Sequence, residues 1–365
     1  MTKIDLLGIT SVELAKKLSA ETTLFCDFPR PDLSMQERSK FLSNRIVKNL
    51  WEGSYYNHLD RNLGKRISIV NWINRATCVN ALRLYLEQVS KDATRKFLWK
   101  LEDGETIESV LIPGSGKRIE NTLCISSQVG CAMGCAFCLT AKQGLRRNLL
   151  SSEIVGQVYA VSRLHSVNKI VFMGMGEPLH NLQNIQKSIQ IFTDSAGFGL
   201  SARNITVSTS GLVPAMEKLM TDTNVRLAVS LNASNDKQRD LLMPVNRRWP
   251  IRELLSSCKR IIQRSTKSQR ILFEYVLLSG VNDSLEDADR IGNLLKSIPC
   301  KLNLIPMNPH SGSDLRKPTE AKQIAFKKRL LSNGVAVTVR RERGSDILAA
   351  CGQLKSKVQA CNLEL

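Results

Sequence analysis

From residue 121 onward the chain repeats one pattern: a short apolar run, a turn signal, an amphipathic stretch, then another apolar run. Seven runs read as strands: TLCIS (122–126), KIVFMG (169–174), NITVST (204–209), VRLAVSL (225–231), RILFEYVLL (270–278), KLNLIP (301–306) and VAVTVR (335–340). Between them lie SEIVGQVYAVSRL, SLEDADRIGNLLKSI and EAKQIAFKKRLLSNG, whose apolar residues recur at helical spacing. Gly334 closes the last as a C-cap. Short strands separated by helices lie parallel and are joined by right-handed crossovers. The fold class is therefore α/β: a partial barrel of six or so strand–helix units over residues 121–343, short of the closed eight.

The rest of the chain has a different character. SVELAKKL, QERSKFLSNRIVKNLW and CVNALRLYLEQV carry apolar residues three and four apart, which predicts helices and a separate accessory domain over 1–93. TRKFLWKLEDGETIESVLIP alternates about the turn signal EDGE, which predicts a β-hairpin in a linker over 94–120. Residues 344–365 form a C-terminal segment.

Against 33 acidic residues stand 52 basic ones, a net charge of +19. That excess points to a polyanion such as RNA or DNA, with the N-terminal helices as the expected RNA-binding addition. Aromatics are only 5% of the chain, and no stacking platform of the RRM type is present. No apolar run approaches the ~18 residues of a membrane span. The opening MTKIDLLGITSVEL lacks the apolar core of a secretory signal, so a cytoplasmic chain without a membrane partner is expected. Ten cysteines are too sparse for a disulfide framework, which leaves metal ligands, catalytic thiols or small buried hydrophobes.

In parallel α/β folds the chemistry gathers at the C-terminal ends of the strands. The suspicious residues fall there. After the first strand comes GCAMGCAFC, which places Cys131, Cys135 and Cys138 on a loop with Gly130 and Gly134. Thiolates select zinc or iron–sulfur centres. A structural zinc wants four protein ligands; Cys124 is a possible fourth, and the nearest histidine, His165, lies away on a helix. A [4Fe–4S] cluster on three thiolates instead keeps one iron open for a small molecule. After the second strand, MGMGEP combines two glycines with Glu177, able to accept from an ammonium group. Ser208, the SLN of 230–232 and Asn308 offer polar groups at later strand ends.

A C-x3-C-x2-C loop at this place resembles the radical S-adenosylmethionine (SAM) superfamily. The resemblance implies a [4Fe–4S] cluster on Cys131, Cys135 and Cys138, SAM chelating its open iron, and reductive cleavage of SAM to a 5′-deoxyadenosyl radical. It also implies SAM contacts from Gly176, Glu177, Ser208, Ser230, Leu231, Asn232 and Asn308. CISSQVGCAMGCAFCLTAKQGLRRNL, FMGMGEPLHN, VSTSGLVPAM and RERGSDILAACGQL together resemble, over residues 94–354, the bacterial dual-specificity 23S rRNA/tRNA adenine-C2 methyltransferases.

In that family one SAM methylates a cysteine, which matches Cys351 in AACGQL. A second SAM supplies the radical that activates this methyl group for addition to C2, an electron-poor carbon closed to polar methyl transfer. A base matching Glu108 removes the C2 proton, and a cysteine matching Cys124 in LCISSQ attacks the Cys351 sulfur, releasing methylated RNA and leaving a disulfide. The resemblance further implies 23S rRNA and tRNA as partners, an electron donor such as flavodoxin, and a monomer.

Departures are Asn232 where histidine is usual, Leu139 where serine is usual and Leu145 where an aromatic is usual. The sister family that methylates adenine C8 is an alternative, though it would carry MGMGEA and ATG in place of MGMGEP and TAKQG. From a different class, a zinc-bound, non-catalytic RNA-binding protein is the other alternative. Lys142, Arg146 and Arg147 beside the cysteine loop, and Arg340, Arg341 and Arg343 before Cys351, are expected to hold phosphates around one mouth. Cys26, Cys78, Cys258, Cys300 and Cys361 receive no role.

Overall fold

The computed structural model describes residues 3–25, 32–52, 67–114, 120–265, 270–310 and 313–355; Cys26 and Cys361 lie outside them. The chain forms two compact units. The first takes Met1–Leu82, Leu150–Val167 and Gln183–Ala202; the second takes Arg83–Leu149, Asn168–Leu182 and Arg203–Leu365.

In the first unit a short parallel pair, β1 (Ile4–Asp5) and β2 (Thr77–Cys78), accompanies three helices: α1 (Ser11–Ser19), α2 (Met35–Trp51) and α3 (Ile67–Ala76). SVELAKKL and QERSKFLSNRIVKNLW are helical as their spacing predicts. Each begins on a capping box, Thr10 with Glu13 and Ser34 with Glu37, which satisfies otherwise orphaned backbone donors. Their apolar stripes bury Leu14, Leu18, Leu42, Ile46 and Leu50. Two further helices of this unit, α4 (Ser151–Ser162) and α5 (Leu182–Thr193), come from the later α/β region. Trp51 packs against Tyr159 and Phe198, with ring centroids 5.7 and 4.9 Å apart, and Lys187 pairs with Glu13.

The second unit is built on one ten-stranded sheet. It starts with β3 (Arg83–Val89), β4 (Arg95–Lys100) and β5 (Thr106–Ile112), which are antiparallel, and β5 pairs antiparallel with β6 (Thr122–Cys124). The hairpin about EDGE is therefore present: Lys100 pairs Thr106, and Gly104 takes the left-handed turn position with φ 85°. CVNALRLYLEQV, however, is not a helix. Its Arg83–Val89 portion is the edge strand β3, with Leu84, Tyr85, Leu86 and Val89 exposed, so the 1–93 region is not helical to its end. Pairing with β4 overrides the helical spacing.

Between β6 and the rest of the sheet the chain makes a separate two-stranded ribbon, β7 (Gln128–Gly130) with β8 (Leu145–Asn148). Six parallel strands then follow β6 in sequence order: β9 (Lys169–Phe172), β10 (Ile205–Thr209), β11 (Arg226–Ser230), β12 (Ile271–Leu277), β13 (Cys300–Pro306) and β14 (Val337–Val339). All seven runs read as strands are strands. Among the described residues the strand order runs from β14 to β3, with no pairing between these two end strands.

Helices α6 (Val213–Asp222), α7 (Asp236–Leu242), α8 (Ile251–Arg264), α9 (Leu285–Leu295) and α10 (Glu320–Ser332) connect the later strands. Strand residues Val207, Leu227, Val229, Phe273, Tyr275 and Leu302 are fully or almost fully buried. Such burial is worth roughly 1.5–3 kcal/mol for each large apolar side chain. Tyr275 stacks on Phe326 of α10, and Cys258 of α8 is a buried small hydrophobe. Among the described residues no helix is long and apolar enough to cross a membrane.

Candidate active site

The ends of the parallel strands frame an open cavity of about 160 Å³. The β7–β8 ribbon delivers the cysteine loop to it. Gly130 ends β7 at φ 76°, and a Cβ built there would lie 1.8 Å from the Gly144 carbonyl oxygen. Only glycine fits that turn. The next residue, Cys131, donates its N–H to the same carbonyl at 3.0 Å. Further along, the Ala136 N–H donates to the Leu242 carbonyl at 3.0 Å, and the loop packs on Leu242, Met243, Leu278 and Met307. Cys131, Cys135 and Cys138 all line the cavity.

Burial pushes the Cys131 thiol up to about 12 and the Cys135 thiol well above its ordinary range. Thiols in this condition become thiolates when a metal centre takes up their charge. Among the described residues no group of three or more His, Cys, Asp or Glu side chains is already arranged to hold a metal ion.

The segment after β9 forms the facing wall. Gly176 has φ 98°, and a Cβ there would sit 2.6 Å from the Gln128 side chain. Gln128 Oε1 accepts from the Glu177 N–H at 2.8 Å, which fixes the turn. Glu177 is buried. Its Oε1 accepts from the Leu179 N–H at 3.1 Å and its Oε2 from the Ser210 N–H at 2.7 Å, across to the end of β10. Burial raises its carboxyl, and hydrogen bonds from Ser210, Thr209 and Leu179 oppose the rise.

Ser208, Ser230, Asn232 and Asn308 also line this cavity. Asn232 sits at φ 55°, a left-handed conformation asparagine tolerates better than most residues. Its Oδ1 accepts from the Val276 N–H at 2.7 Å and its Nδ2 faces Met243 Sδ at 3.1 Å, so the amide holds β11 to β12. Leu231 differs from its neighbours: its side chain is fully buried, it is not in the cavity lining, and its carbonyl accepts from Arg239.

Cys351 belongs to the wall shared by this cavity and a second one, of about 390 Å³. Its segment is pinned on two sides. Asn308 Nδ2 donates to the Cys351 carbonyl at 3.0 Å, the Leu139 N–H donates to the Gly352 carbonyl at 2.8 Å, and Thr140 Oγ1 donates to the Leu354 carbonyl at 2.7 Å. Cys124, on β6, lines the second cavity with Arg340 and Arg341. Burial pushes the Cys124 thiol up to about 12, Cys351 adds to the rise and Arg340 opposes it; burial raises Cys351 as well, again against Arg340.

Glu108, on β5, is buried beside the same C-terminal segment. Its Oε2 accepts from the Lys355 N–H at 2.9 Å and its Oε1 lies 3.1 Å from Lys96 Nζ. Burial raises its carboxyl against the Lys96 charge. It lines neither cavity.

The expected ring of phosphate-binding cations needs correction at several places. Arg340 is turned inward, with Nη1 3.7 Å from Glu274 Oε1 and 3.6 Å from Met173 Sδ. Arg147 pairs with Asp103 at 2.6 Å and Arg343 lies 3.7 Å from Asp92, while Arg146 and Arg341 are exposed.

Sequence reasoning missed two buried charges. Glu274 lines the first cavity and accepts from Ser208 Oγ at 3.0 Å; its signal was a lone acid inside RILFEYVLL. Arg239, fully buried on α7, donates to the carbonyls of Leu231 (3.0 Å), Ser210 (2.7 Å) and Ser230 (2.9 Å), and to Asn246 Oδ1 (3.0 Å). Nothing local marked it, since an arginine in a polar helix reads as solvated.

Residues 125–291 match the model of the radical SAM superfamily. Over 359 residues, 98% of both chains, the protein is 45% identical to the dual-specificity RNA methyltransferase RlmN of Geotalea uraniireducens. It is 54% identical to the RlmN of Pelobacter propionicus over 274 residues, covering 75% of this chain and 78% of that one. A radical SAM methyltransferase from Sphaerobacter thermophilus has the same fold at a TM-score of 0.85 and 35% identity, covering 97% of this chain and all of that one. With these likenesses and the site above, the chain belongs to the RlmN family of radical SAM RNA methyltransferases.

Proposed function

We propose that the protein methylates carbon 2 of an adenosine in 23S rRNA, and also in tRNA, by way of Cys351. The observation that carries this reading is the position of Cys351 in the wall shared by two cavities, one holding the three-cysteine loop and the other Cys124 and the arginines.

Family membership implies a [4Fe–4S] cluster and SAM, and the residues fit both. Cys131, Cys135 and Cys138 supply three soft donors from a loop that only glycine at 130 allows, and a cluster spreads its thiolates over separate irons instead of one point. Gly176, Glu177, Ser208, Ser230, Asn232 and Asn308 would hold SAM, with the Glu177 carboxylate in the cavity wall as the acceptor for its ammonium. When bound, these groups supply the methyl that Cys351 carries and the radical that activates it, one SAM for each task. Cys351 holds the methyl carbon on its sulfur and then joins it to C2. Glu108 takes the C2 proton; burial raises its carboxyl as that task requires, and its bond to the Lys355 N–H ties it to the Cys351 segment. Cys124 then displaces at the Cys351 sulfur.

Anaerobically reconstituted protein tests this. The nucleosides of treated RNA are expected to contain 2-methyladenosine, Cys351→Ala to abolish it, and Cys124→Ala to leave protein covalently on RNA. A product of 8-methyladenosine, or full turnover by Cys351→Ala, would overturn the assignment.

A further inference from the structure

Cys124 poses a difficulty that rests on the function proposed above. Displacement at sulfur needs a thiolate. Yet Cys124 is buried on β6, and burial pushes its thiol up to about 12, so the neutral thiol is the resting form at pH 7. Something in the second cavity must offset that cost.

The charges around Cys124 narrow the choice. Lys317 pairs with Glu342 at 3.1 Å; Arg343 lies 3.7 Å from Asp92, but it is the Arg340 charge that opposes the rise at the Cys124 thiol. Arg341 is exposed, and Lys96 lies 3.1 Å from Glu108. Arg340 is different. Its backbone N–H donates to the Leu304 carbonyl at 2.8 Å, which fixes its start at the edge of β13, and its side chain lines the cavity with both thiols. Its side-chain contacts are loose: Glu274 Oε1 at 3.7 Å and the soft Met173 sulfur at 3.6 Å. Glu274 Oε1 itself is buried without a hydrogen bond, its other oxygen being held by Ser208 Oγ. A guanidinium has five N–H donors, far more than these contacts use.

We propose that Arg340 is a positioning residue for Cys124, exchanging its loose pairing with Glu274 for the Cys124 thiolate when the protein–RNA adduct is resolved. In that step the Cys124 sulfur bonds to the Cys351 sulfur, and the bond from the Cys351 sulfur to the methylene carbon breaks. The electron pair leaves on carbon, which takes a proton and becomes the methyl of the product. The two sulfurs are oxidised by two electrons and the carbon is reduced by two. The proton lost from Cys124 balances the one gained at carbon. Arg340 takes no proton; its charge stabilises the attacking sulfur.

The test follows adduct formation and decay on denaturing gels in full-length reconstituted protein, comparing wild type, Cys124→Ala, Arg340→Met and Arg340→Lys. Arg340→Met is expected to form adduct with normal iron content and to resolve it at least tenfold more slowly. Its resolution rate is expected to rise about tenfold per pH unit between pH 7 and 9, and Arg340→Lys to recover most of the rate. Without cluster or RNA, iodoacetamide labelling of Cys124, read by mass spectrometry of its peptide, is expected to need higher pH in Arg340→Met than in wild type. Resolution at the wild-type rate in Arg340→Met, or labelling of Cys124 at unchanged pH, would overturn the inference. If Cys124→Ala accumulates no adduct, the proposed function fails instead.

Discussion

At the scale of single residues, two glycines of one loop make a controlled comparison. Gly130 and Gly134 both have left-handed backbones, at φ 76° and 66°. A methyl group at 130 would collide with the Gly144 carbonyl at 1.8 Å, whereas one at 134 would meet only the Pro244 ring at 3.5 Å. Gly134→Ala is therefore expected to carry just the conformational penalty, about 1–2 kcal/mol. Gly130→Ala must also break the Cys131–Gly144 hydrogen bond and shift the loop. Iron and sulfide assays after reconstitution are expected to find a near-normal cluster in the first variant and little in the second. Equal cluster content in the two would contradict the role given to the β7 turn. That cysteine loop was legible in sequence because its pattern is local, three cysteines within eight residues that all line one cavity. Asn232 was legible as a position but not as a strap between β11 and β12, which depends on Val276 and Met243 lying across the fold.

At the scale of elements, Arg239 ties α7 to the ends of β10 and β11 through the Ser210, Ser230 and Leu231 carbonyls. Its charge is relayed through Asn246, whose Nδ2 donates to Asp240 Oδ1 at 2.7 Å and Asp236 Oδ1 at 3.0 Å. Burial lowers the guanidinium to about 10, still charged at neutral pH. A lysine has one ammonium and cannot span three carbonyls on two strands. Arg239→Lys is expected to lower unfolding free energy by about 2–4 kcal/mol in urea titrations, with the buried carbonyls left unsatisfied. A loss under about 0.5 kcal/mol would show that water replaces the side chain.

The parallel strands were readable because each is an apolar, β-branched run between turn signals. Strand β3 was not. Leu82, Leu84 and Leu86 suit either period, and β3 is identified only by its partner β4. Glu274 and Arg340 were unreadable as a pair for the same reason, since they meet only across the folded sheet from positions far apart in sequence.

At the scale of the whole molecule, the net charge of +19 sets how the protein meets RNA. Affinity for an RNA substrate is expected to fall steeply with salt. For roughly six phosphate contacts, a slope of about 0.7 per contact gives a roughly 300-fold loss between about 50 and 200 mM. Filter binding across that range checks it, and a flat response would assign recognition to uncharged contacts. Salt is expected to leave iodoacetamide labelling of Cys124 nearly unchanged, because buried charges are poorly screened.

The strands from β10 to β14 each pair with the one made just before, and β9 pairs with β6, the sheet's preceding strand. During synthesis the sheet can thus grow at one edge as the chain leaves the ribosome, without waiting for distant partners. Cys351 emerges after every strand that frames its cavity. On the function proposed above, a polypeptide stalled earlier would own the three-cysteine loop yet lack the thiol proposed to accept carbon, so an unfinished copy could not become covalently fastened to nucleic acid.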